Sequence, residues 1–227
     1  RKAGNVFGIA TGRALNLIIH ESNYWKIPFD FLICNNGAVL YDEKLNVLRS
    51  VNVPDMMIRE VLLHPSALAS THYELCNEGI SRIYVRSTES IFHNTDIPYE
   101  RISLEESLLQ NNVQQISFGY AAEFEYKKHS DSLLAAFHDY LSLNMNHLVI
   151  DINHRGINKL SGILDMLEIQ GWPAQGLLAI GDNENDLSMI RHFKGFSING
   201  ANRNTMAAAA AVYNSVGDML RDQIRVF

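Results

Sequence analysis

The 227-residue chain has little cysteine: Cys34 and Cys76 are the only two, in no C-x-x-C pair and at no zinc spacing from a histidine. That excludes a disulfide scaffold, and thiols in apolar surroundings read as reduced and cytoplasmic. The nine histidines form no H-x-x-x-H or H-E-x-x-H pair, so a zinc site is not expected. No apolar run approaches the ~18 residues of a spanning helix, and Arg1-Lys2-Ala3-Gly4 leads straight into a strand-like segment that does not read as a signal peptide. Positive charge is in deficit, with 19 Lys and Arg against 25 Asp and Glu for a net charge of -6, and the cations are scattered. Nucleic acid and anionic membrane are therefore excluded as partners. Repeats, low-complexity tracts and Gly/Ser linkers are missing as well. So is any aspartate before Asp30.

What is present suits a packed α/β protein. Hydrophobic residues make up 47% of the chain and charged residues 19%, enough for a core, and the length suits one domain with a smaller insertion. Residues 5–10 (NVFGIA) and 31–34 (FLIC) read as buried strands flanking a helical spacing at 13–23. Strand, helix, strand predicts a parallel βαβ unit. A hairpin follows around 42–46. From 53 to 154 short alternating runs at 82–85, 115–118 and 147–150 mix with a helical stretch at 130–141, which suits a separate α+β unit with helices on one face of a sheet. The α/β grammar then resumes: a helix at 159–169 stopped by Gly171, a strand at 177–180, a helix at 186–193, a strand at 195–198, a helix at 204–211, a strand at 212–213 and a helix from Asp218. The organisation expected is a core of 1–52 and 155–227 interrupted by an insertion of 53–154.

Three clusters carry chemistry. Gly181-Asp182-Asn183-Glu184-Asn185-Asp186 lies between a buried strand and a helix, where open parallel sheets bind ligands. Asp182 and Asp186, with Asn185 between them, suit a hard, oxygen-seeking cation such as Mg²⁺; the alternative is that Asp186 or Asn185 only caps the helix. A calcium loop fails, because Leu187 stands where glycine is needed and Phe193 where a bidentate glutamate is needed. Thr11-Gly12-Arg13, ending the first strand, could offer a hydroxyl and amides to a phosphate, or Thr11 could be a simple helix N-cap. Lys159 starts a helix, where its charge opposes the helix dipole, so it serves either to neutralise a phosphate or as a solvated surface lysine. Arg82, Tyr84 and His72 lie near strands of the inserted unit, and a structural role is expected for each.

Taken in order, T-G-R (11–13), N-N-G-A (35–38), the insertion, G-I-N-K (156–159) and G-D-N-E-N-D-L-S-M-I (181–190) resemble the haloacid dehalogenase superfamily. The closer resemblance is to its Cof-type phosphatases with a type IIB cap. It implies a Rossmann-like parallel-sheet core with an inserted α+β cap, and a Mg²⁺-dependent phosphatase acting on a sugar phosphate or similar small phosphorylated molecule. It also implies a cytoplasmic monomer or homodimer. By the same resemblance Asp182 ligates Mg²⁺ and Asp186 supports it through water. Thr11, Gly12 and Arg13 hold the phosphoryl group, Lys159 neutralises charge, Asn185 contacts phosphate or metal, and Asn36 forms part of the site floor. The chemistry implied is an aspartyl-phosphate formed by a carboxylate nucleophile and then hydrolysed.

The sequence departs from that family at its first motif, D-x-D-G-T, which belongs on a strand well before T-G-R. Only ten residues precede Thr11 here. The nucleophile, the acid/base aspartate and one metal ligand are thus expected to lie outside this chain, which would be a truncated and inactive form of a longer polypeptide. The missing strand would be central, between those ending at Thr11 and Gly181. The alternative is a non-catalytic phosphate-binding or regulatory domain; a phosphomutase is disfavoured by the compact motif at Asp182. A lesser departure is Asn199-Gly200-Ala201-Asn202, where relatives read G-N-A, so Asn202 is assigned no role.

Overall fold

The computed structural model describes residues 4–92 and 97–224. The first layer contains β1 (Gly8–Ala10), α1 (Leu15–Trp25), β2 (Phe31–Cys34), β3 (Val39–Asp42) and β4 (Val47–Ser50). β1 and β2 pair in parallel around α1, as the βαβ reading requires, and β2, β3 and β4 continue the sheet antiparallel. α1 stops where Lys26 turns left-handed at φ 52°.

The insertion opens with α2 (Asp55–Leu63) and α3 (Pro65–Leu68). It then runs through β5 (His72–Asn77), β6 (Ile80–Val85), β7 (Glu100–Arg101), α4 (Leu104–Ser107), β8 (Gln115–Gly119), α5 (Glu123–Phe137), β9 (Leu141–Asn146) and β10 (Val149–His154). Its six strands form one sheet in the order β7-β6-β5-β8-β10-β9. Side chains alternate across a strand, so Tyr73, Leu75, Ile116, Phe118, Ile150 and Ile152 share one face. They are buried there against Ile58, Val61, Leu62 and Leu133 of the helices. Burying each such side chain contributes about 1.5–3 kcal/mol, so this face holds the insertion together. The opposite face carries Glu74, Gln115, Ser117, Asp151 and Asn153, and it is turned toward the first layer.

Two expectations for the insertion need correction. Residues 147–150 are not one strand: His147, at φ 52°, and Leu148 form the turn joining β9 to β10. The helix expected at 130–141 runs instead over Glu123–Phe137, because Leu141 belongs to the alternating strand Leu-Ser-Leu-Asn-Met-Asn.

The last segment contains α6 (Lys159–Gln170), β11 (Ile180–Gly181), α7 (Leu187–Phe193), β12 (Phe196–Ile198), α8 (Arg203–Ala208), β13 (Val212–Tyr213) and α9 (Val216–Gln223). α6 has clear ends: Asn158 and Ser161 form a capping box, and Gly171 turns left-handed at φ 65°. β11, β12 and β13 form a separate parallel sheet. The parallel strands of the core are therefore divided between two sheets. Among the described residues, no strand lies against the outer edge of β1 or of β11. Both strands are short beside the apolar runs at 5–10 and 177–180. α6 spans the division. Its Ile163 packs with Ala10 and Ile33 on one side and with Ala179 and Ile190 on the other.

Candidate active site

The loops following β1, β2 and β11 meet at one end of the two core sheets, beneath the polar face of the inserted sheet. After β1, Thr11 donates its amide to Ile33 O (2.8 Å), and its Oγ1 accepts from the Arg13 amide (3.1 Å). The hydroxyl thus shapes a tight loop. It does not cap α1, whose N-cap position is Ala14 with no side-chain bond. Gly12 is closely covered: a Cβ there would stand 3.1 Å from both Asn36 Nδ2 and Asp151 Oδ2. Arg13 is exposed.

After β2, Asn35, Asn36 and Gly37 form a 3-10 turn with φ values of 50°, 54° and 104°. Asparagine tolerates the left-handed region better than most residues, which suits it to such a turn. Asn36 is fully buried, and its amide is fully used. Nδ2 donates to Gln115 Oε1 (2.9 Å) and to Asp151 Oδ2 (2.8 Å), while Oδ1 accepts from Asn185 Nδ2 (3.1 Å). The floor position inferred for Asn36 is thus also a junction of three segments.

After β11 the chain folds around the Asp186 carboxylate. Oδ2 accepts from the backbone amides of Asp182 (3.0 Å) and Asn183 (3.1 Å), and Oδ1 accepts from Lys159 Nζ (2.6 Å). A Cβ at position 181 would lie 2.5 Å from the Asp186 side chain, so glycine is what allows this close approach. Lys159 and Asp186 are 7% and 3% exposed, which makes this a buried ion pair rather than a surface one. Asp186 spends both oxygens on holding the loop and Lys159. Asp182, by contrast, is exposed, and among the described residues its carboxylate has no partner. Its carbonyl is fixed by the amide of Asn202 (2.8 Å), and the Asn202 side chain caps α8. Asn185 Oδ1 is buried without a partner.

These donors bear on a cation. Mg²⁺ binds oxygen from one or two carboxylates and fills the rest of its shell with water and phosphate. The free Asp182 carboxylate and the orphaned Asn185 oxygen are donors of the right kind and make a partial set. Among the described residues no group of three or more His, Cys, Asp or Glu side chains is arranged to hold a metal.

The sequence reading missed the contribution of the inserted sheet. Gln115 Nε2 donates to Gly12 O (2.9 Å) and Asn153 Nδ2 to Asn35 O (3.0 Å), so both core loops are held from above. Asp151 sits within this network, and burial pushes its carboxyl up to about 6 against opposing hydrogen bonds from Ser117 and Asn36. Glu74, two strands away in the same row, is raised by burial as well. The available signal was the alternation Gln-Ile-Ser-Phe at 115–118: once helices claim the isoleucine and phenylalanine face, Gln115 and Ser117 must face the core. Arg82, Tyr84 and His72 each engage neighbours within the inserted sheet. Arg82 pairs with Glu100 (3.1 Å), Tyr84 packs on Tyr73, and buried His72 contacts the Thr71 and Ser90 hydroxyls. Cys34 and Cys76 are both buried and free. Among the described residues no helix is long and apolar enough to cross a membrane.

Comparisons with known proteins bear on the fold and the family. The family of haloacid dehalogenase-like hydrolases matches residues 1–218. A protein of Mycoplasma pneumoniae described as a phosphatase is 24% identical over 260 residues, covering 100% of this chain and 85% of that protein. A subclass IIB sugar phosphatase of the superfamily superposes with a TM-score of 0.81 at 19% identity, over 97% of this chain and 86% of that one. A phosphatase from Bacteroides thetaiotaomicron gives 0.79 at 20% identity, over 98% and 83% of the two chains. At such identities the superpositions establish a shared fold.

Proposed function

The chain belongs to the haloacid dehalogenase-like hydrolase family, and from that premise we propose that it is a Mg²⁺-dependent phosphatase of a sugar phosphate or similar small metabolite. The observation that carries this reading is the loop after β11, where the buried Lys159–Asp186 pair and two backbone bonds fix the strand end and leave the Asp182 carboxylate free. The phosphatase name of the Mycoplasma relative and the sugar phosphatase among the superposed structures support the substrate class.

In this reading Thr11, Gly12 and Arg13 receive the phosphoryl group in the loop after β1. Lys159 gives one N–H to Asp186 and keeps two for phosphate oxygens. Asp182 would hold Mg²⁺, with Asn185 Oδ1 as a further oxygen donor and Asp186 acting through the loop it fixes. A bound Mg²⁺ supplies neutralisation of the charge spread over the phosphoryl oxygens. Asn36 and Asn185 orient the floor. The nucleophile is a carboxylate that attacks phosphorus as the ester P–O bond breaks and the sugar leaves as its alcohol, giving an aspartyl-phosphate; water then cleaves that to inorganic phosphate and the free carboxylate. We assign it to a strand outside these 227 residues that would lie between β1 and β11. The two unpartnered edges support that assignment, since unpaired inner edges leave ladder groups unsatisfied and invite a strand.

A second reading, a phosphate-binding domain without turnover, draws on the lack of a three-residue metal cluster among the described residues. Kinetics separate the two. The polypeptide with its complete reading frame should release phosphate from p-nitrophenyl phosphate and from members of a sugar-phosphate panel only with Mg²⁺, while the 227-residue chain should bind phosphate without turnover. Mg²⁺-dependent turnover by the 227-residue chain itself would refute the assignment of the nucleophile to another strand.

A further inference from the structure

We propose that Gln115 is a positioning residue through which the inserted sheet holds the shape of the phosphate loop. The inference rests on the phosphatase reading and concerns the inserted sheet, to which that reading gives no role. Gln115 begins β8 on the face turned to the core and is 2% exposed. Both ends of its amide are used. Oε1 accepts from Asn36 Nδ2 (2.9 Å), while Nε2 donates to Gly12 O (2.9 Å) and to Ser117 Oγ (3.1 Å). One side chain thus grips the loop after β1 and the loop after β2 together, the two segments that receive phosphate in this account.

The chemistry at this position is selective. The side chain must accept from Asn36 and donate to Gly12 in the same geometry, and an amide offers one oxygen acceptor and two N–H donors. A carboxylate would set an acceptor against the Gly12 carbonyl and a negative charge near Asp151. An aliphatic side chain would leave both loop groups unpaired in a buried place, a loss larger than one hydrogen bond normally contributes. The grip extends further, because Asn36 Oδ1 accepts from Asn185, whose loop also carries Asp182. The amides of Asn185, Asn36 and Gln115 thus form a chain that ends on Gly12 O. It links the metal-side loop to the phosphate-side loop through a residue of the inserted sheet.

The test is steady-state kinetics of the complete polypeptide with Mg²⁺ on a hexose 6-phosphate, comparing wild type, Gln115→Ala and Gln115→Glu. Both variants should lose roughly ten-fold or more in kcat, the equivalent of one to two net hydrogen bonds, with KM altered by less than about three-fold. Melting temperatures should fall by roughly 4–12 °C, as two unpaired buried groups require, so rates are compared at a temperature where every variant is folded. Gln115→Glu keeps the size and one acceptor, so wild-type kcat in that variant would reduce Gln115 to a space-filling role and overturn the inference. A fall in kcat that only follows the loss of folded protein overturns it as well. Absence of turnover in the wild type removes the phosphatase reading and this inference with it, whereas an active wild type with unaffected variants removes this inference alone.

Discussion

Replacing Lys159 with methionine tests the frame of the site without relying on activity. The Lys159 ammonium lies 2.6 Å from Asp186 Oδ1, with both side chains almost wholly buried. Removing one partner of a buried ion pair costs about 3–5 kcal/mol, because the other charge stays behind in a poorly solvated place. Asp186 Oδ2 keeps its two backbone donors after the change, so the lower end of that range applies. For a chain of this size about 3 kcal/mol corresponds to a fall in Tm of roughly 6–12 °C. The double variant Lys159→Met, Asp186→Asn removes the stranded charge. It should therefore be more stable than the sum of the single losses by about 1–2 kcal/mol. Thermal and urea melts followed by circular dichroism at pH 7 measure both quantities. A change below 1 °C in Lys159→Met, or strictly additive losses in the double variant, would show that the pair is not the buried contact described here.

Other consequences follow from particular contacts. Asp151 holds its proton more tightly folded, at about 6, than at its ordinary value of 3.8, so its contribution is fully present below pH ~4 and is lost as pH rises through 6. Asp151→Asn should accordingly gain stability relative to wild type between pH 4 and 8, by up to about 3 kcal/mol, read from urea midpoints at the two pH values; a pH-independent difference would refute the burial argument. Gly162→Ala would bring a Cβ to 2.7 Å from Gly37 Cα and Ile33 Cγ2, so a loss of about 1–3 kcal/mol is expected, with weaker phosphate binding through the displaced Asn35–Gly37 turn. Calorimetry against inorganic phosphate measures the second effect. Asp182→Ala touches an exposed, unpaired side chain and should leave Tm within about 1 °C of wild type.

How much could be read in advance depended on how locally each feature is determined. β2 was legible to the residue, because Phe-Leu-Ile-Cys is a short apolar run bounded by turn formers. α6 was legible at its start and to within a residue of its end, where Gly171 is a cap residue with direct backbone consequences. The loops after β1 and β11 were legible as loops because their residues are consecutive and sit at strand ends. The engagement of Asp186 was not: its partner Lys159 is 27 residues away, and only packing decides that the carboxylate faces a lysine. Gln115 and Asp151 were hidden for a similar reason. Alternation says that a strand has two faces, but which one the helices cover is settled by tertiary structure. β1 and β11 are shorter than the apolar runs that announced them, and hydrophobicity alone does not set where strand pairing stops.

The central claim is that the free Asp182 carboxylate serves a metal-assisted phosphatase. Phosphate release from p-nitrophenyl phosphate by the complete polypeptide, with and without Mg²⁺, for wild type and for Asp182→Ala, tests it most directly. The wild type should release phosphate only with Mg²⁺, and Asp182→Ala should lose that release while remaining folded. Release that persists in Asp182→Ala, or that does not depend on Mg²⁺, would contradict it.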